Sequence, residues 1–336
     1  MNEALRVGVV GVGHFGRHHA RVFSKLDGVK LVGVADIDGG RARAVGGEYA
    51  ADAFSSHRDL FGKVDAVSVA VPTRSHASVA CDFLKQGVAV LVEKPMAATL
   101  AEALGMQAAA EESGAKLQVG HIMRFSPVVM AMREMDVEPK FLEVHRLSPF
   151  SFRSLDVGVV LDMMIHDIDL VLQLARGRLE KIDAVAFALL GPTEDICNAR
   201  MAFDDGCVAN LTASRVALKT MRKVRIFSEN SYISMDFVQE NGVIIEKSPK
   251  FSPEAFDIEK MKRLSTDELK EVMLDGFFSV REMKLDEGEP LTAELQSFVD
   301  CVSNGREPLV SGEDGIRSME AAEKILASVD SHDWYR

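Results

Sequence analysis

A chain of 336 residues is long for a single hydrophobic core and comfortable for two domains. Its apolar content of 47% with an ordinary share of charge excludes a disordered polymer. A net charge of -12 argues against a nucleic-acid binder, which needs a basic face. Four scattered cysteines (Cys81, Cys197, Cys207, Cys301) form no C-x-x-C pair, so reduced thiols are expected rather than a disulfide framework or zinc site. The first apolar run, Val7 to Val12, is strand-length, and no stretch approaches a membrane span. The expectation is a cytoplasmic protein with no membrane partner.

In chain order, strand signals fall at Arg6–Val10, Val29–Ala35, Ala66–Ala70, Ala89–Val92 and Lys116–Val119. Helical patterns at Gly16–Lys25, Gly39–Gly46, Ser75–Gln86 and Leu100–Ser113 separate them. Strands joined by helix-length crossovers predict a parallel sheet covered on both faces. Beyond about residue 122 the rhythm changes. An apolar helix at Val159–Leu174 is followed by a hairpin, Ala199–Phe203 and Cys207–Ala213, turned by Asp204-Asp205-Gly206. Lys223–Phe227, Ser231–Phe237 and Gly242–Glu246 continue an antiparallel pattern. Lys247–Glu271 reads as a charged surface excursion, and helices at Thr292–Ser303 and Gly312–Ser328 close the chain. The predicted class is α/β, with a Rossmann dinucleotide-binding domain over residues 1–122. An α+β domain with a predominantly antiparallel open sheet follows over 123–336. Its exposed sheet face predicts a homodimer or homotetramer.

Gly11-Val12-Gly13-His14-Phe15-Gly16 leaves the first strand and opens a helix. Alone, such glycines also suit an ordinary turn. Asp36, twenty residues after Gly16 at the end of the next strand, makes the pair a dinucleotide signature. The helix N-terminus favours the diphosphate, and Asp36 accepts hydrogen bonds from a ribose. A carboxylate there opposes a 2′-phosphate, and Ile37 rather than a basic residue follows it. NAD is therefore expected over NADP, with Arg41 the one neighbour that could reverse this.

Val90-Leu91-Val92-Glu93-Lys94-Pro95 ends a buried-type strand in two charges and a proline. Ligands of such sheets bind at the carboxyl ends of strands, so Glu93 and Lys94 are expected near the cofactor. The loop containing Pro72, Thr73 and His76 shares that edge and flanks the nicotinamide in this reading. In the apolar helix, Asp162, His166 and Asp169 recur at i, i+4 and i+7. Alone, this stripe reads first as a satisfied core network. A metal site is disfavoured because no second histidine stands at ligand spacing. Beside the cofactor motif the stripe reads as alcohol oxidation. His166 accepts the hydroxyl proton, Asp162 orients the imidazole, Lys94 holds the alcohol oxygen, and Asp169 binds another substrate hydroxyl.

These motifs, with Glu294-Leu295-x-x-Phe298 near the end, resemble the glucose–fructose oxidoreductase, inositol dehydrogenase and MocA (Gfo/Idh/MocA) family over nearly the whole chain. The resemblance implies a Rossmann domain, a C-terminal open sheet used for oligomerisation, and nicotinamide-dependent redox of sugars or cyclitols. It also implies that Lys94, Asp162 and His166 act as argued above. Residues 119–127 and 156–169 are similar to the branch that oxidises the 3-hydroxyl of UDP-N-acetylglucosamine. That likeness implies a nucleotide-sugar substrate, with Arg124 and Arg153 available to its anionic part; packing or surface ion pairs would also explain them. Free sugars, inositols, or a non-turning NAD sensor are the alternative readings.

Overall fold

Short β-branched runs joined by helices leave one economical arrangement, a parallel sheet buried on both sides. The computed structural model describes residues 4–133, 135–150, 157–248, 258–271, 277–285 and 288–331. In it, β1 (Leu5–Val10), β2 (Val29–Ala35), β3 (Asp52–Phe54), β4 (Ala66–Val69), β5 (Ala89–Glu93) and β6 (Leu117–Gly120) form a parallel sheet. Its order is β3-β2-β1-β4-β5-β6, so the winding reverses between β1 and β4. That reversal opens a crevice at the carboxyl ends of the strands.

The crossovers carry α1 (His14–Phe23), α2 (Gly39–Glu48), α3 (His76–Leu84) and α4 (Leu100–Ser113). Thr99 and Glu102 form a capping box at the start of α4, and Gly114 ends it at φ +72°. Along β5 the side chains alternate. Val90 and Val92 join Phe83, Leu84 and Met106 on one face, while Leu91 joins Val7, Val9 and Phe23 on the other.

The chain divides into two compact units, residues 1–126 with 288–323, and residues 127–287 with 324–336. The first boundary lies close to the expected one, but the later segment departs from the expected assignment of 123–336. Its helix α9 (Pro290–Asn304) buries Leu295, Phe298 and Val299 in the same cluster as Leu91 and Val9. The core of the first unit therefore draws on both ends of the chain.

The second unit holds α5 (Pro127–Arg133), β7 (Phe141–Leu147), α6 (Ile165–Leu174), β8 (Leu179–Phe187), β9 (Ile196–Phe203), β10 (Val208–Ser214), β11 (Met221–Phe227), β12 (Ser231–Asp236), β13 (Asn241–Lys247) and β14 (Phe278–Glu282). Two short helices, α7 (Ile258–Met261) and α8 (Thr266–Glu271), lie before β14, and α10 (Gly312–Asp330) is the last helix described. The sheet runs β14-β13-β12-β11-β7-β10-β9-β8, antiparallel throughout except where β7 and β10 pair in parallel. The predicted hairpin is β9–β10, turned at Gly206 with φ +83°. One face buries Leu142, Val144, Ala209 and Leu211, and α6 packs on β7 and β10. The opposite face is a polar ladder, with Asn198 to Thr212 (2.8 Å), Arg200 to Asn210 (3.0 Å) and Arg225 to Glu143 (2.9 Å). Among the described residues no helix is long and apolar enough to cross a membrane.

Candidate active site

The glycine turn follows from what a side chain would strike. Gly11 has φ +83°, and a Cβ on Gly16 would stand 1.8 Å from the Gly11 carbonyl oxygen. Both positions therefore require glycine. A Cβ on Gly13 would meet nothing within 4 Å, so the backbone there faces open space that a diphosphate can approach. Gly13 caps α1 with no side-chain hydrogen bond and no acidic residue in the first turn, which leaves amide N–H groups for an anion. Asp36 Oδ2 accepts from the Val12 N–H at 2.9 Å, tying the end of β2 to the turn, and Oδ1 accepts from the Asp38 N–H at 2.9 Å. Ile37 is 98% exposed beside it, an apolar surface suited to a purine. These residues fit NAD. The turn would hold the diphosphate and Asp36 a ribose, with exposed His14 and Phe15 bordering the turn.

Arg41 Nη1 lies 3.3 Å from Asp36 Oδ2. This guanidinium is the group that could receive a 2′-phosphate once the carboxylate is gone. Replacing Asp36 with alanine should lower the NAD-over-NADP ratio of kcat/KM by about tenfold or more, the loss expected for a charge-assisted ribose hydrogen bond. Steady-state rates with both cofactors measure it. An unchanged ratio would remove Asp36 from cofactor choice.

At the end of β5 the Lys94–Pro95 peptide is cis, and Lys94 is half-buried. Behind it runs a chain of polar groups that the sequence reading missed. Ser68 Oγ of β4 lies 2.7 Å from His19 Nδ1, and His19 Nε2 lies 3.0 Å from Glu93 Oε1. Glu93 Oε2 accepts from the Lys94 N–H at 3.2 Å. Burial pushes the Glu93 carboxyl up, but His19 and Lys94 outweigh it and hold it below the usual carboxylate value. Glu93 is thus turned inward onto His19. The available signal was a histidine on the buried side of α1.

His76 requires a correction. It is 1% exposed, with Nδ1 2.9 Å from the Pro95 carbonyl oxygen and Nε2 2.8 Å from that of Val71. Burial pushes its pKa down despite these carbonyls. The imidazole braces two strand-end loops rather than presenting itself to a cofactor. Pro72 and Thr73 of the same loop remain at the surface, exposed and half-buried respectively. Arg124 takes the ion-pair alternative of its two readings. It is buried and lies 3.4 Å from Asp314, and its charge helps hold that carboxyl below its usual value against burial. Arg153 lies outside the described residues.

In the second unit the predicted helix begins with a π-helical turn, Val160–Met164, before α6. Asp162 therefore sits in a wider turn than the regular α-helical one expected, and His166 opens α6 just beyond it. Such turns recur at functional sites. Both residues are half-buried, whereas Asp169 is 0% exposed and so stands within the packing, away from any surface that a substrate hydroxyl could reach. Asp167, from the same helix, accepts two hydrogen bonds from Arg146 of β7, at 2.8 and 2.7 Å.

The approach to the π turn is built from residues with no sequence motif. Glu194 accepts from the Val159 N–H through its backbone carbonyl (2.9 Å) and from the Val160 N–H through Oε1 (3.1 Å). A Cβ on Gly158 would fall 1.9 Å from that carboxylate, so only glycine admits it. Arg215 donates to the Val157 carbonyl (2.7 Å), to Thr193 (3.1 Å) and to Asp195 (2.6 Å). Asp195 also accepts the Leu189 and Leu190 N–H groups. Burial opposes its charge, but Arg215 and these amides hold the carboxyl below its usual value. Among the described residues no cluster is arranged to hold a metal ion.

A reversed parallel sheet with this glycine turn and ribose carboxylate defines a nicotinamide-dependent oxidoreductase. The chain belongs to the Gfo/Idh/MocA family. Residues 5–121 match its oxidoreductase family NAD-binding Rossmann fold, and residues 135–234 its C-terminal domain. The chain is 34% identical over 330 residues to the UDP-N-acetylglucosamine 3-dehydrogenase of Acidithiobacillus ferrooxidans, covering 97% of this chain and 98% of the relative. It is 25% identical over 340 residues to an inositol 2-dehydrogenase of Rhizobium meliloti, covering 97% of each. A solved structure of the Acidithiobacillus enzyme matches with a TM-score of 0.85 at 33% identity, over 98% of this chain and 99% of that one. The chain is an NAD-dependent dehydrogenase acting on CH–OH groups.

Proposed function

We propose that the protein oxidises the 3-hydroxyl of a UDP-N-acetyl-hexosamine to the 3-keto sugar. The observation that carries this reading is the end-to-end likeness to UDP-N-acetylglucosamine 3-dehydrogenase, at 34% identity over 97% of the chain. NAD, when bound, supplies the hydride acceptor. The protein's residues then manage the proton and the oxygen. His166 takes the hydroxyl proton, a task suited to an imidazole near neutral pH. Asp162 orients that imidazole and favours its charged form. Lys94 holds the alcohol oxygen and stabilises the alkoxide charge that develops as hydride leaves carbon. Assembly as a homodimer or homotetramer is part of the same reading, and light scattering of the purified protein measures it.

The test mixes the protein with NAD⁺ and UDP-N-acetylglucosamine, with an aminotransferase and glutamate to remove the ketone. Sustained NADH formation is expected. Turnover on inositol but not on the nucleotide sugar would replace this reading with the second one, which the inositol 2-dehydrogenase likeness favours.

A further inference from the structure

Glu294, near the start of α9, has no exposed surface. Its neighbours Leu295 and Phe298 are packed with Leu91 and Val9 in an apolar cluster. Among the described residues, nothing hydrogen-bonds either of its carboxyl oxygens. Gln118 of β6 donates from Nε2 to the Glu294 backbone carbonyl at 3.4 Å, and Gln118 Oε1 is a further buried acceptor with no donor among the described residues. Glu93 of β5 acts on Glu294 electrostatically. All of these residues belong to the first unit.

A carboxylate buried without donors is costly, whereas the un-ionised acid is tolerated. Glu93 is provided for differently, with His19 at 3.0 Å, the Lys94 N–H at 3.2 Å and the Lys94 charge close by. Two nearby carboxyl groups, Glu294 wholly buried and Glu93 only partly, divide their charge, and here the division falls one way. We propose that Glu294 is a carboxylic acid at physiological pH, so that the negative charge of the Glu93 and Glu294 pair resides on Glu93, behind the lysine at the strand end. Burial and the Glu93 charge both move the Glu294 pKa well above the ordinary carboxylate value, in keeping with this.

Of the groups around α9, Glu93 at the end of β5 acts on Glu294 and Gln118 of β6 bonds its backbone carbonyl; the packed elements beside it are α1, which carries His19, and the turn at Ile122–Phe125, which carries Arg124, engaged by Asp314. Loss of the Glu294 proton would set two negative charges side by side. Glu93 would then be driven to take up a proton, and the Ser68–His19–Glu93 chain behind Lys94 would rearrange. The functional part of this inference rests on the proposed role of Lys94.

Infrared spectra of the wild type and Glu294→Gln test it between about pH 6 and 9, a range in which ordinary carboxyl groups are ionised. A carboxylic C=O stretch should persist in the wild type and vanish in the variant. A wild type without that band overturns the proposal. Thermal midpoints give a second test. The folded protein keeps a proton that the unfolded chain has lost, so wild-type stability should fall with rising pH relative to Glu294→Gln. Parallel curves would count against it.

The infrared band needs no substrate. Its absence therefore defeats this inference alone, whereas a band present without sugar turnover defeats only the functional reading.

Discussion

Replacing Lys94 with alanine should reduce kcat by about 10³ while leaving NAD affinity nearly unchanged. The magnitude is that of a single group that stabilises developing oxyanion charge and takes part in proton transfer. Lys94 lies at the carboxyl end of β5, beside the crevice where the sheet order reverses, and is half-buried. The groups that hold the diphosphate and adenosine ribose lie elsewhere, at the glycine turn and Asp36. Binding and chemistry should therefore separate. Arginine at this position should not rescue turnover, because its planar fork cannot occupy the place of a compact ammonium. Steady-state kinetics with a fluorescence titration of NADH measures both quantities. A kcat within tenfold of the wild type would remove Lys94 from the reacting centre.

The second large effect concerns stability. Arg215→Met should cost about 3–5 kcal/mol, since it strands a buried charge rather than merely deleting a contact. The Asp195 and Arg215 side chains are 0% and 6% exposed, and no water can replace the lost guanidinium cheaply. The thermal midpoint should drop on the order of 10 °C. The same arginine holds the Val157 carbonyl, so the approach to the π turn that carries Asp162 loosens as well. Substituting Asp195 and Arg215 together by apolar residues should recover much of the loss, because no charge is then left unpaired. Loss of under about 1 kcal/mol in the single variant would show that the pair contributes no more than an exposed one. In the wild type the Asp195 pKa is held below its usual 3.8. Its contribution is therefore complete above that value and disappears as pH falls through the folded pKa.

The first unit was largely legible because its signals are local. Each of its longer strands is a β-branched run, and the glycines mark turns whose backbone admits nothing else. The three-residue edge strand β3 is too short to show a pattern, with two of its residues exposed. In the second unit, β7 escaped notice because Arg146 occupies an inward position, breaking the apolar alternation; only the tertiary ion pair with Asp167 makes it tolerable there. Similarly, β8 carries Glu180, Lys181 and Asp183 in its first half.

The candidate catalytic residues were visible as spacing, but their surroundings were not. Nothing local distinguishes a histidine that braces two loops, such as His76, from one that meets a ligand. The His19 partner of Glu93 comes from a distant segment, and a π turn leaves no mark on a helical pattern.

The return of α9 to the first unit bears on how the protein comes into being on the ribosome. Arg21 and Glu289 form an ion pair across 268 residues of chain, and Leu295 and Phe298 complete a core begun by Val7 and Val9. The earlier segment therefore waits for one made 268 residues later. Until α9 emerges, one side of the parallel sheet around Leu91 stays greasy and uncovered, a surface that chaperones hold and stray strands join. A gene cut short after the eight-stranded sheet would leave the nucleotide domain as well as its neighbour unfinished.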